Sequence, residues 1–283
     1  MTCHLKSGVG CDRGTRPAAR RFLGMTRPLS VILASTWAIL AMPAAAQDTQ
    51  TSGRNVVIGA GIEVVPKYPG ASSGRIGVLP LFDTWRADAP RPAESPDESI
   101  GFALLGERGS GLSVGPSFTF TPGRSAQDLP GLAEIGSTFE LGGFIEAWPL
   151  PALRLRGELR QGIGGHKALT GDLSADAVWR GAGGGILLTF GPRVRWGSGQ
   201  YNRAFFSVPA ANGASFAPFD AGPGIYSYGA AAGLRAPLSQ RFGLYTYVRY
   251  DRLSDRVAAS PIVVDGSANQ FSGGLALTYR FGP

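Results

Sequence analysis

Cysteine and histidine are almost missing from the sequence. The only two cysteines, Cys3 and Cys11, lie near the N-terminus, in a stretch that has the pattern of a cleaved leader. Without them a disulfide scaffold, a thiol nucleophile and a thiolate metal site are excluded. Of two histidines, His4 lies in the same stretch, so only His166 would remain. A metal site would have to be built from carboxylates, whose spacing suggests no cage, and we predict neither a metal nor a cofactor.

Residues 1–46 have the features of a secretory signal peptide. A basic stretch precedes an apolar run from Leu29 to Met42, and Ala44-Ala45-Ala46 supplies the small residues that signal peptidase requires. The apolar run has roughly 14 residues, whereas a membrane-spanning helix needs about 20. We therefore predict cleavage before Gln47; the alternative is an uncleaved N-terminal anchor. Translation could also start at Met25, since a complete signal peptide follows it.

Strong charge of one sign is also absent once the leader is removed. The whole chain has a formal net charge of +7, but the leader holds six of the 27 basic residues and one of the 20 acidic residues. The mature chain keeps 21 basic and 19 acidic residues, a net charge of +2. The basic isoelectric point therefore gives no indication of nucleic-acid binding.

The mature chain has no apolar run long enough for a transmembrane helix. It contains instead segments of about ten residues in which apolar and polar side chains alternate, separated by Gly, Pro, Asp and Ser. The clearest are Leu112–Phe120, Leu153–Gln161 and Phe271–Phe281. Successive side chains of a strand point to opposite faces, so each segment would have one apolar and one polar side.

This pattern predicts an all-β transmembrane antiparallel β-barrel of about twelve strands, within a range of 10–14, over residues 55–283. Residues 47–54 would form a short segment before it. A soluble β-sandwich is the rival architecture. The 42 glycines and the tryptophans near predicted strand ends (Trp85, Trp148, Trp179 and Trp196) favour the barrel. The weaker candidate strands are 55–65, 75–86, 99–106, 137–148, 172–180, 184–196, 200–208, 224–236 and 242–251.

The long connections do not all fit the usual arrangement, in which periplasmic turns are short. With a periplasmic C-terminus, 207–223 and 252–270 lie outside the cell. On twelve strands, 87–98 and 122–136 then fall on the periplasmic side. Either one strand is miscounted or these segments fold into the lumen, and the sequence leaves both possibilities open.

Two connections have distinctive composition. Asp88–Ser99 is acidic and rich in proline, which is typical of a solvated loop or an extended docking segment for a partner. Val208–Gly224 contains Phe216 and Phe219 among small residues, and we predict it to be the more adhesive loop.

Charged side chains recur on the polar faces of three predicted strands, two consecutive ones and another further along the chain. Placing Arg or Lys on a lipid-facing position costs about 2–4 kcal/mol at the membrane midplane, so these side chains should point into the lumen. They would either neutralise one another in a filled lumen or form an electrostatic filter in a narrow pore for small solutes. This predicted charge ladder consists of Glu140, Glu146, Arg154, Arg156, Glu158, Arg160, Arg193 and Arg195.

No catalytic residues are predicted. A Ser–His–acid site would have to use His166 as its base, and this residue lies in a connection. A turn residue is the simpler interpretation of His166.

Several short motifs occur in an order that resembles the MipA/OmpV family of outer-membrane proteins. The resemblance implies a non-enzymatic barrel in the outer membrane of a Gram-negative bacterium. It also implies possible partners, because one member is a scaffold for a murein lytic transglycosylase and a bifunctional penicillin-binding protein. It carries no catalytic residues or cofactor. The matching segments are Tyr68-Pro69-Gly70, Pro80–Asp83, Gly123-Arg124, Leu129–Ile135, Tyr201–Val208, Tyr245–Leu253, Ala258–Val263 and Gly274–Phe281.

Overall fold

The structure, a computed structural model, describes residues 53–89, 91–211 and 216–282. The predicted leader and its cleavage site lie outside these residues. None of the helices in the described part of the chain has the length and apolar character that a membrane crossing needs.

Twelve strands form one antiparallel sheet that curls into a nearly closed barrel, which confirms the predicted fold class. From β4 to β12 each strand pairs with the next in the chain, β1 pairs with β2 and also with β12, and β3 pairs with β5. The strands are β1 Arg54–Pro66, β2 Gly74–Arg86, β3 Ile100–Gly101, β4 Leu105–Glu107, β5 Ser110–Thr121, β6 Thr138–Leu150, β7 Leu153–Gly164, β8 Leu169–Arg180, β9 Leu187–Gly197, β10 Gly224–Pro237, β11 Phe242–Leu253 and β12 Asn269–Phe281.

The period-two pattern of the sequence explains the two faces of the barrel. On β7, Leu155 and Leu159 lie on the outer surface, and Leu159 is 53% exposed. Arg154, one residue from Leu155, is 0% exposed and points inward. An apolar outer band around a polar interior is the arrangement that a membrane barrel needs.

One predicted strand is wrong. Residues 200–208 lie mostly in helix α1, Gly199–Phe206, rather than in a strand. Its buried residues are Tyr201, Asn202, Phe205 and Phe206, which lie on one face at helical spacing. Aromatic residues have high strand propensity, and here packing in a nonpolar cluster overrides that preference.

The α-helices and most of the long connections gather at one end of the barrel, which we call the cap end. The opposite end, where β1 begins and β12 ends, is the terminal end. At the cap end, Phe205 and Phe206 of α1 pack with Ile135, Leu253 and Val257, which come from widely separated connections. The cap also contains the short helices α2, Asp255–Ala258, and α3, Pro261–Asp265.

The segment 122–136 belongs to this cap, on the same end of the barrel as 207–223 and 252–270. Leu129 and Leu132 pack against Val208 and Ile262 of the cap. A miscounted strand, one of the two alternatives left open, accounts for this, because counting 200–208 as a strand reverses the end assigned to each connection between β4 and β9.

The barrel is left open along one line. In the described part of the chain, β2 lies at one edge of the sheet and β3 and β4 lie at the other, both paired with β5. The strand directions follow from the pairing: β2 and β3–β4 both run from the cap end to the terminal end. Consecutive strands that run the same way cannot form a hairpin. We call the gap between β2 and β3–β4 the seam.

The chain crosses from β2 to β3 through the inside of the barrel. Residues 91–99, which we call the strap, run along the lumen from the terminal end, and Ala93, Ser95 and Ser99 in it are buried. The prediction of a solvated loop for Asp88–Ser99 is therefore wrong for most of its length. Folding into the lumen was one of the two alternatives left open for 87–98.

Candidate functional site

The lumen holds the charge ladder, on the walls formed by β6, β7 and β9. Seven of the eight predicted residues are buried, and the Arg195 side chain is 16% exposed. Each lies between two outward residues, so the strand alternation alone turns it inward.

Arg154 is the centre of the network at the terminal half of the lumen. Its guanidinium group lies 2.8 Å from Glu146, 2.5 Å from Glu98 and 3.4 Å from Asp176. Arg154, Glu146 and Asp176 are fully buried. A planar guanidinium with several donors suits such a site, because it can bind more than one carboxylate at once.

A second group lies on the same wall, nearer the cap end. Arg160 lies 3.0 Å from Glu140 and 2.5 Å from Asp172, and it also contacts Glu158. Arg156 bridges the two groups through Glu158, at 2.6 Å, and Glu146, at 3.3 Å. The ladder is therefore one connected set of ion pairs.

The strap supplies three carboxylates to this network. Glu94 lies 2.7 Å from Arg235 and 3.0 Å from Arg108. Asp97 lies 3.0 Å from Arg193 and 2.7 Å from Arg195. Glu98 joins Arg108, at 3.0 Å, to Arg154. The arginines of the lumen wall are thus neutralised in large part by a segment that is not a strand.

These partners were not predicted from the sequence. The three strap carboxylates lie among prolines, a composition typical of exposed loops. Arg108 lies in the turn between β4 and β5, and Arg235 lies on β10, a strand with little other charge. One signal was available: the ladder contains five arginines but only three carboxylates, so other acidic residues had to be near it.

Apolar and hydroxyl contacts fix the position of the strap. Ala93 is fully buried in a cluster with Trp148, Val178 and Leu187 near the terminal end. Further along, the Ser99 hydroxyl donates to Glu158 at 2.5 Å.

Trp85 and Trp148 are buried inside the barrel, so these two do not belong to an outer aromatic girdle.

Two of the three strap carboxylates, Glu94 and Asp97, are held in their charged form. Burial alone would raise the pKa of Glu94, but the guanidinium groups of Arg235 and Arg108 outweigh that effect and lower its pKa to about 2. For Asp97 burial likewise opposes ionisation, and Arg193 and Arg195 hold its pKa well below the ordinary value. Glu94 and Asp97 are therefore ionised at every physiological pH.

This predicts an acid-labile contribution to stability. The ordinary pKa of Glu94 is 4.5 and the folded value is about 2, so its contribution is complete above the ordinary value and is lost as the pH falls through the folded value. The pH-dependent part amounts to about 3 kcal/mol. In urea unfolding of the barrel in vesicles, the stability difference between wild type and Glu94→Gln should shrink as the pH falls from about 5 towards about 3. An exposed control, Asp255→Asn, should show no such change, and a difference independent of pH would contradict the assignment.

His166 lies in the turn between β7 and β8, as the simpler interpretation expected, but it is buried. Its Nε2 is 3.2 Å from Glu140, and the backbone N–H of Ala168 donates to its Nδ1. The ring packs edge-on against Tyr201 of the cap. These contacts give it a structural role that joins the cap to the ladder.

A cavity of about 1450 Å³ remains beside the strap. Its walls include Arg160, Arg195 and Asp251 on the polar side and Leu81 and Tyr245 on the other. The lumen is therefore filled on the β6–β9 side and hollow on the side next to the seam.

Residues 58–281 match the family described as MltA-interacting protein MipA. No curated protein matches the sequence. Similar solved structures include the translocator domain of the autotransporter NalP from Neisseria meningitidis (13% identity, 83% of this chain and 90% of that chain, TM-score 0.37). Others are a Pseudomonas aeruginosa FadL homologue (9% identity, 81% and 89%, TM-score 0.32) and the toluene transporter TbuX from Ralstonia pickettii (10% identity, 81% and 89%, TM-score 0.32). Likenesses this distant carry no argument about function. The family match, in contrast, covers most of the chain, and the protein belongs to the MltA-interacting protein (MipA) family.

Proposed function

We propose that this barrel is a non-enzymatic protein of the outer membrane that binds a murein lytic transglycosylase, and with it a penicillin-binding protein, on its periplasmic side. The family match over residues 58–281 carries the proposal, since the family is named for interaction with MltA. Export would follow cleavage of the predicted leader near Ala46–Gln47.

The terminal end of the barrel is the surface that such a partner would meet. Both ends of a bacterial barrel chain normally face the periplasm, so the terminal end is the periplasmic one. Arg54, Arg86 and Arg241 are exposed there, against the exposed acids Asp88 and Glu107. This basic rim favours a partner with an acidic surface, because complementary charge speeds association and orients the partner.

Charge reversal at the rim tests the proposal. The variant Arg54→Glu, Arg86→Glu, Arg241→Glu should bind the purified transglycosylase of the same organism at least ~10-fold more weakly, about 1.4 kcal/mol. Binding would be measured by biolayer interferometry on the barrel in nanodiscs, at low salt. A matched control reverses three exposed arginines of the cap end, Arg203, Arg252 and Arg256. If the wild type does not bind the transglycosylase, the scaffold function is refuted. If both variants lose affinity equally, the basic rim is not the surface that binds it.

A narrow pore for small solutes is the second candidate. The cavity beside the strap supports it, since about 1450 Å³ of the lumen is unfilled and charged residues of both signs line one side. The strap narrows that path, so the pore would conduct weakly unless the strap moves.

A further inference from the structure

The seam leaves two strand edges unpaired within the barrel wall. No sheet pairing joins β2 to β3, β4 or β5 in the described residues. Pro80 lies in the middle of β2, the strand that forms one of these edges. Proline is tolerated in strands where no ladder hydrogen bond is needed, so the sequence itself fits an open edge here.

Open strand edges are not stable against hydrocarbon. Each unsatisfied backbone group costs several kcal/mol there, and such backbone occurs at membrane depth only where it lines a cavity. The cavity beside the strap meets this requirement, because both β2 and the residues around β3 contribute to its walls.

Along the middle of the seam, residues 76–82 of β2 and 100–105 across the gap are all apolar, and charged residues such as Arg75, Asp83 and Glu107 lie towards its ends. On the outside stand Val78, which is 75% exposed, and Phe102, on the other side of the gap. Just inside, Leu81 packs with Tyr245 and a neighbouring buried cluster on β2, β11 and β12. Val78, Phe102, Leu81 and Tyr245 all line the cavity beside the strap. Residues of the outer surface and residues of the lumen therefore border the same space.

The cavity changes character with depth. Its wall far from the seam carries Arg195 on β9 and Arg249 and Asp251 on β11. Tyr226, which has a hydroxyl group, lies between them on β10. The volume of about 1450 Å³ exceeds the roughly 300–1,000 Å³ of ordinary small-molecule sites. An apolar entrance and a polar, charge-balanced interior suit a long amphipathic molecule.

We infer that the lumen opens sideways into the membrane through the seam and admits an acyl chain of a phospholipid from the surrounding bilayer, with the polar end of the lipid towards Arg249 and Asp251. This inference rests on the proposed membrane location. Acyl chains are the apolar molecules that already lie against Val78 and Phe102, and they need no diffusion through water to enter.

Two inner–outer pairs of positions test the inference. Leu81 faces the lumen at the seam, and the adjacent Phe82 faces the membrane. Ser227 lines the same cavity on β10, four strands from β2, and the adjacent Tyr228 faces outward. Each position is changed to cysteine in the cysteine-free mature chain and labelled with bimane. The labelled barrels are reconstituted in phospholipid brominated on its acyl chains, which quenches only the fluorophores that the chains reach, and folding is checked by heat-dependent gel mobility.

We expect strong quenching at both outer positions and at Leu81→Cys, and little at Ser227→Cys. Comparison within each pair removes the effect of depth in the bilayer. If Leu81→Cys is quenched no more than Ser227→Cys, while both outer positions are quenched, the seam is closed to lipid and the inference is wrong. If the outer positions are not quenched either, the membrane location itself fails, and the two failures are thereby distinguished.

Discussion

Neutralising the strap should widen the conducting path of the barrel. In the variant Glu94→Gln, Asp97→Asn, Glu98→Gln, the five arginines that bind these carboxylates (Arg108, Arg154, Arg193, Arg195 and Arg235) lose strap partners at once. Buried charges without partners are costly, so the strap should leave the lumen and water should replace it. We expect unit conductance in a planar bilayer to rise several-fold and ion selectivity to shift towards anions.

The matched control for this variant neutralises three exposed acids instead. Asp88→Asn, Glu107→Gln, Asp255→Asn removes the same formal charge from residues on the outside of the network. Its conductance and selectivity should equal those of the wild type. If the strap variant is folded and also conducts like the wild type, the strap does not restrict the lumen, and the cavity beside it already sets the current.

Arg154→Leu should be the most destabilising single change in the lumen. The side chain is completely buried and shared among Glu146, Glu98 and Asp176. Removing one member of a buried ion-pair set leaves the other charges unpaired, which typically costs about 3–5 kcal/mol. The measurement is the free energy of urea unfolding in lipid vesicles, followed by tryptophan fluorescence.

Two further variants separate lost charge pairing from lost packing. Arg252→Ala, on the exposed surface of β11, should change stability by no more than about 0.5 kcal/mol. In Arg154→Leu combined with Glu146→Leu and Glu98→Leu, part of the lost stability should return, because the two carboxylates that lose Arg154 are replaced by apolar groups, while Arg156 keeps Glu158 and Arg108 keeps Glu94. If the triple variant is less stable than Arg154→Leu, the carboxylates are satisfied without Arg154.

The strands were predictable because their pattern is local. Alternation such as Leu155-Arg156 and Leu159-Arg160 reflects the lipid and the lumen on either side of each residue, and it needs no knowledge of other strands. The family match over residues 58–281 agrees with the resemblance found in short ordered motifs.

The strap and α1 were not predictable in the same way, since their placement depends on distant partners. Nothing near Glu94 indicates Arg235, and nothing near Phe205 indicates the buried Leu253 and Val257. Composition suggested a solvated loop for the first and a strand for the second, and long-range ion pairing and packing decide otherwise.

The strap also constrains how the chain can assemble. Its hydrogen bonds to Asp176 and Arg193 span 81 and 96 positions of the chain, and that between Glu94 and Arg235 spans 141. Contacts between residues so far apart in the sequence form late, because closing each long loop costs conformational entropy before other contacts offset that cost. An assembly intermediate that has β1 to β9 but lacks β10 therefore leaves Glu94 of the strap without Arg235, and insertion of the last three strands becomes cooperative with closure of the lumen.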